Sequence, residues 1–339
     1  MKPLPSSLYL KARIWRLIAP LRWLLSTLLG LLSRLAQLWS LVFWAIGVAI
    51  DYMRLMYLDY TARPDDVFIV SYPRSGTTWL QMILYQLTTD GDMDRIAHIS
   101  EVCPWFERAA ISKRRYDTMP SPRVFKSHLP WIWIPKRICR YIYVARDGRD
   151  VAVSFYHFHK SHFRYTKPFS RFFNNFMRGW VVWGSWFYHV SGWWKHRDDP
   201  RVLFLKYEDL VRDLEGTIRQ IIAFLELNIP DERIPQIVER SSFAFMKQHE
   251  LKFDYATELM LDRGMTPSTF IRKGKVGTWH EYLTEEERAR FEAKYERCVG
   301  RLGLRFDAQG PAPGGTATDP QEKPPPGGIA VPAGGPHRP

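Results

Sequence analysis

The sequence predicts an α/β fold: a central parallel sheet flanked by helices, P-loop-NTPase-like, behind an N-terminal apolar helical extension. Three stretches carry that prediction. Val67–Val70 is an apolar run that enters a turn at Tyr72, Pro73 and Gly76, after which Leu80, Ile83, Leu84 and Leu87 recur at helical spacing. Tyr141–Ala145 repeats the pattern, with Arg146-Asp147-Gly148 as the turn and a helix beyond it. Arg201–Leu210 is read as a further strand, an amphipathic helix is predicted over 214–227, and another over 234–240. Val124 and Phe125 add a short strand that ends in a loop at Pro130.

The flanks read differently. Residues 1–60 form an apolar, amphipathic, membrane-associating segment, 61–307 the globular domain, and 308–339 a Pro/Gly-rich tail that cannot bury a core and is expected to be disordered. Lys2, Lys11, Arg13, Arg16 and Arg22 precede a stretch from Trp23 to Ile50 whose only charge is Arg34. That stretch exceeds the ~20 residues a spanning helix needs. Yet Ser26, Thr27, Gly30, Ser33, Arg34 and Gln37 make one polar stripe, which suits a helix lying in a membrane surface. Both readings stand at this point. An interfacial helix leaves the globular domain cytoplasmic; a single pass would keep the basic N-terminus in the cytoplasm.

The formal charge of +13 admits nucleic acid, an anionic membrane or an anionic small substrate. No nucleic-acid motif accompanies it. Cys103, Cys139 and Cys298 lie far apart without metal spacing, which argues against both a disulfide framework and a metal site and makes a reducing compartment the default.

The turn after the first strand packs Arg74, Ser75, Gly76, Thr77 and Thr78 against a helix start, where unpaired N–H groups and the positive end of the helix dipole suit an anion. The Walker pattern is incomplete, which disfavours a kinase. Arg146 in the second turn lies eight residues before Ser154, which projects near the start of its helix. Asp147 and Asp150 read as helix caps. Arg272, Lys273 and Gly274 give consecutive donors with a glycine for close backbone approach. The tryptophans Trp180, Trp183 and Trp186 fall at helical spacing and read as core.

Tyr72-Pro-Arg-Ser-Gly-Thr-Thr-Trp79 resembles the 5′-phosphosulfate loop of the sulfotransferases that use 3′-phosphoadenosine-5′-phosphosulfate (PAPS), of the cytosolic and bacterial type. Lys126-Ser-His-Leu-Pro130 resembles the family's Lys-Thr-His-Leu-Pro, whose histidine is the base. The resemblance covers Pro64 to Leu304. It implies a catalytic pair, His128 and Lys126, and a donor site made of Arg74, Ser75, Gly76, Thr77, Thr78 and Trp79 for the 5′ side. Arg146, Ser154, Phe270, Arg272, Lys273 and Gly274 would serve the 3′-phosphate side, and Tyr207, Ser242 and Phe243 the adenine. Trp105 and Phe106, in a Pro-Trp-Phe-Glu element, and Trp131 would border the acceptor.

The implied reaction moves a sulfuryl group from PAPS to a hydroxyl or amine of a small, hydrophobic, lipid-like acceptor, without a metal. A membrane-anchored carbohydrate sulfotransferase and a non-catalytic nucleotide-binding protein are the alternatives. Arg74 departs from the family's usual lysine; a guanidinium offers hydrogen bonds but no proton, so Lys126 and Thr77 or Thr78 are expected to carry more of the charge stabilisation. Thr278 replaces an aspartate. The family's dimer motif keeps only Thr284, so dimerisation by that route is left open.

Overall fold

The computed structural model describes residues 6–54, 60–108, 116–135, 138–254, 271–272 and 274–306. Phe270, Lys273 and the 308–339 tail lie outside them. Helix α1 (Ser6–Arg54) comes first, with Pro20 inside it. Strands β1 (Val67–Val70), β2 (Val124–Ser127), β3 (Arg140–Ala145) and β4 (Val202–Lys206) then form one parallel sheet in the order β2-β1-β3-β4. The helices that position the site are α2 (Thr77–Thr88), α3 (Gly148–Phe163), α4 (Phe169–Arg178), α5 (Trp186–Trp194), α6 (Tyr207–Arg212), α7 (Leu214–Leu225), α8 (Ile234–Arg240), α9 (Phe243–Gln248) and α10 (Glu285–Cys298).

A parallel sheet is covered on both faces, so its strands are mostly apolar, with Lys126, Ser127, Arg140 and Lys206 at strand ends. Alternate residues divide between two cores. Phe68, Phe125, Tyr141 and Tyr143 pack with Phe173, Trp186 and Trp193. Val67, Ile69, Ile142 and Val144 pack with Ile83 and Leu87 of α2 and Ile218 and Ile221 of α7. At the entry to β1 and β2, the fully buried Asp66 and Arg123 pair fork to fork, with both contacts at 2.6 Å.

Chain direction matters for function. From β1 the chain crosses to β2 on one side; from β3 it crosses to β4 on the other. The loops after β1 and β3 therefore diverge and leave a crevice at the C-terminal ends of the strands.

In α1 the side chains of Leu24, Leu28, Leu31 and Leu35 are exposed. Among the described residues no helix is long and apolar enough to cross a membrane. The spanning alternative therefore finds no such helix there. The end of α1 meets the domain where the Tyr52 hydroxyl donates to the Trp133 carbonyl at 2.6 Å.

Candidate active site

The crevice opens into a cavity of about 510 Å³. Its floor is the loop from Ser71 to Gly76. Arg74 takes a left-handed φ of 69°, a backbone state rare for a bulky residue. Gly76 has φ 107°, and a Cβ there would lie 2.8 Å from the Tyr207 ring, so this position needs glycine for both reasons. The helix that follows has no side-chain cap, which leaves its first N–H groups for a ligand. The Thr77 hydroxyl is engaged with Ser71 at 2.5 Å; Thr78 lines the cavity.

Arg146 enters from the loop after β3. It donates to the Lys275 carbonyl at 2.9 Å and lies 4.3 Å over the Tyr207 ring. Arg74 donates to the Ser154 hydroxyl at 3.2 Å. Burial, then the neighbouring Arg146, pushes the Arg74 guanidinium down to about 10. Arg272 is likewise pushed down, chiefly by burial. Three guanidiniums sharing a half-buried crevice is costly unless anions join them. Among the described residues the buried Ser75 Oγ and Arg146 Nε have no hydrogen-bond partner. Arg146 lines the cavity together with Arg74 and Arg272, and a cluster of guanidiniums with an unfilled nitrogen fits an anionic ligand.

Trp79 donates its indole N–H to the Ser241 carbonyl at 2.7 Å and meets the Tyr207 ring edge-on. Ser242 caps α9 by accepting the Phe245 N–H, which places Phe243 on the cavity wall. Gly274, at φ 62°, passes so close to Phe243 that a Cβ would sit 2.4 Å from its ring. Trp79, Tyr207 and Phe243 thus line the cavity with aromatic surface on the same side as Arg146 and Arg272.

At the other end of the cavity His128 follows directly on β2. Its Nδ1–H donates to the Ser71 carbonyl at 2.8 Å, which leaves Nε2 as the unprotonated, basic nitrogen. Burial, then the charge of Lys126, holds this imidazole well below its ordinary value. Lys126, buried and 4.8 Å over the Trp105 ring, is lowered to about 8 by burial. Trp105 and Trp183 each have ring centres 5.3 Å from that of His128. Phe155, Phe158, Phe163 and Val182 extend the apolar wall.

Two expected acceptor residues lie elsewhere. Phe106 is fully buried and packs edge-on or stacked with Phe68, Tyr116 and Phe125, because its short helical turn aims it into the core. Trp131 stacks on His196 at 4.0 Å and against Trp193, away from the cavity. The tryptophan spacing also misled. Trp186 begins α5 and is core, Trp180 is exposed, and Trp183 sits in a turn where it reaches the site.

Of the two expected caps, Asp147 does cap α3, accepting the Arg149 N–H at 2.8 Å. Asp150 acts differently. Its carboxylate accepts from Gly277 N at 2.8 Å, Thr278 Oγ1 at 2.8 Å and Trp279 N at 3.1 Å, tying down the loop that carries Arg272 and Gly274. Thr284 serves locally, capping α10 in a reciprocal box with Glu287.

Fold and site together define an α/β protein whose cavity joins a cluster of guanidiniums to a buried basic histidine, a site suited to an anionic ligand. Comparison narrows the class. Residues 64–303 match a family model described as a sulfotransferase domain. Human Sulfotransferase 1C2 is 35% identical over 260 residues, covering 73% of this chain and 87% of that protein. Human Sulfotransferase 1E1 is 35% identical over 276 residues, covering 74% and 93%. Among solved structures, retinol dehydratase with androsterone and the inactive cofactor PAP superposes with TM-score 0.69 at 27% identity, covering 78% of this chain and 88% of that one. Mouse sulfotransferase SULT7A1 with PAP gives 0.58 at 29%, covering 74% and 92%. The chain belongs to the sulfotransferase family and is a PAPS-dependent sulfotransferase.

Proposed function

We propose that the chain transfers the sulfuryl group of PAPS to a hydroxyl or amine of a small hydrophobic acceptor, with His128 as general base. The observation that carries this is the His128 imidazole, which keeps Nε2 as its basic nitrogen, packs against both Trp105 and Trp183 and lines the same cavity as the guanidinium crevice. The loop from Ser71 to Thr78 acts as a P-loop-like cradle for the 5′ side. Arg146, Ser154 and Arg272 hold the 3′-phosphate, and Trp79, Tyr207 and Phe243 sandwich the adenine.

His128 takes the acceptor's proton as the acceptor oxygen or nitrogen bonds to sulfur. The sulfur–oxygen bond to the 5′-phosphate breaks, and its electron pair leaves with PAP. Lys126 and Arg74 meet the negative charge that grows on that oxygen. Arg74 cannot give up a proton, so Lys126, lowered to about 8, is the better proton donor.

The aromatic wall favours an apolar acceptor over a carbohydrate, and the androsterone and retinol named with the retinol dehydratase structures are of that kind. The exposed leucines of α1 and the basic residues before them support an interfacial membrane-associating segment over 1–60, the 61–307 sulfotransferase domain staying on the cytoplasmic side. The test is turnover of PAPS by the full chain against a panel of phenols, sterols, long-chain alcohols, amines and oligosaccharides. Sulfation of the apolar hydroxyls or amines is expected. Preference for oligosaccharides, or no PAPS consumption with any acceptor, would overturn the reading.

A further inference from the structure

His189 lies on α5, 2% exposed, and neither ring nitrogen faces the cavity. Its Nε2 is 3.1 Å from the main-chain carbonyl of His128, and its Nδ1 is 2.9 Å from the Tyr143 hydroxyl on β3. A carbonyl oxygen only accepts, so Nε2 carries the proton. Burial pushes the ring down to about 4 and keeps it neutral, so Nδ1 is an acceptor and the Tyr143 O–H donates to it. Both partners thus select one tautomer. Tyr72 packs edge-on against the ring at 5.7 Å and fixes its plane.

His128 follows directly on a short strand, where the backbone is no longer held by the sheet. It is held instead from three sides. The Glu107 carboxylate accepts its N–H at 2.6 Å, the Ser71 carbonyl accepts Nδ1–H at 2.8 Å, and His189 donates to its carbonyl. Glu107 and Ser71 fix the amide and the ring. The third contact holds the His128 carbonyl itself; beyond it Leu129 is held by its own N–H to Ser127 Oγ at 3.1 Å and by the Trp193 indole N–H to its carbonyl at 3.1 Å.

We propose that His189 is a positioning residue for sulfuryl transfer: locked in one tautomer by Tyr143, it holds the His128 main chain so that Nε2 of His128 meets the acceptor. This rests on the reading of His128 as the base. Displacement of a base by about 1 Å costs up to roughly 100-fold in rate.

The test exploits the two ring nitrogens. In His189→Gln the amide nitrogen reaches the place of Nε2 and still donates to the His128 carbonyl; in His189→Asn it reaches only the place of Nδ1. In the full chain, His189→Asn is expected to lower kcat roughly 10- to 100-fold, while His189→Gln stays within about 5-fold of wild type. Acceptor KM and PAP affinity should stay within about twofold in both. Tyr143→Phe, which removes one oxygen from the core, should lower kcat by about 3- to 10-fold by freeing the tautomer. His189→Asn added to His128→Ala should lower the residual rate no further, because the two act as one unit.

Three results would overturn the proposal. One is Tyr143→Phe and His189→Asn both at wild-type kcat. Another is His189→Gln as impaired as His189→Asn. The third is a His189→Asn loss that adds to that of His128→Ala. Should His189→Asn fail to fold, Tyr143→Phe and its combination with His128→Ala decide the matter alone. If His128→Ala itself keeps the wild-type rate, it is the base assignment that fails.

Discussion

Thr278 stands where the family usually has aspartate, and its structural role can be measured. Its hydroxyl donates to Asp150 at 2.8 Å, and both groups are buried. Thr278→Val keeps the shape and removes that donor. Asp150 would retain the Gly277 and Trp279 N–H groups, so it is not left bare. A hydrogen bond to a charged acceptor contributes about 1.5–3 kcal/mol, and the new methyl group recovers a little of it. For a domain of this size, 1 kcal/mol moves Tm by about 2–4 °C, so a fall of roughly 3–8 °C is expected. The weakened segment follows Arg272 and Gly274. PAP affinity should therefore drop about 3- to 10-fold, while AMP, which lacks the 3′-phosphate, should bind as before. Thermal unfolding and calorimetric titration with both nucleotides read this out. An unchanged Tm with unchanged PAP affinity would refute the role given to the Asp150 clamp; equal weakening of PAP and AMP would refute its link to the 3′ side.

Two further outcomes are expected. Because kcat/KM reports groups of the free enzyme, its alkaline limb should lie near 8, where buried Lys126 loses its proton, and its acid limb well below the ordinary imidazole value, because buried His128 stays neutral there. Lys126→Arg stays charged, so the alkaline limb should move beyond about 10 while the acid limb holds; an unmoved alkaline limb would assign it to another group. The full chain should co-sediment with phosphatidylcholine–phosphatidylserine vesicles in a salt-dependent manner. Replacing the exposed Leu24, Leu28 and Leu31 by Glu should abolish that and leave turnover of a water-soluble acceptor intact; vesicle binding by the variant would contradict an apolar membrane face on α1.

The strands and the loops that follow them were legible because their signals are local. An apolar run, a turn with Gly76 or Gly148 and a helical repeat all fall within about one element's length of sequence. The clamp of Asp150 on 277–279 and the grip of His189 on His128 were not legible. Each joins residues far apart in the chain, and neither Asp nor His differs in sequence from a cap or a core residue. Phe106 and Trp183 show a second limit. Which aromatic faces a cavity depends on the direction of a short turn, and a helical spacing read across Gly184 has no meaning once that glycine adopts φ 68°. The Arg74 departure was visible, but not that its side chain would reach Ser154.

The central claim is that His128 is the base of sulfuryl transfer in a preformed PAPS site. The most direct measurement is single-turnover transfer of labelled sulfuryl from PAPS to an acceptor found in the panel, comparing wild type with His128→Ala, with PAP affinity measured alongside. A loss of about 100- to 10,000-fold in the transfer step with PAP affinity unchanged is expected. Transfer at the wild-type rate in His128→Ala would contradict the account.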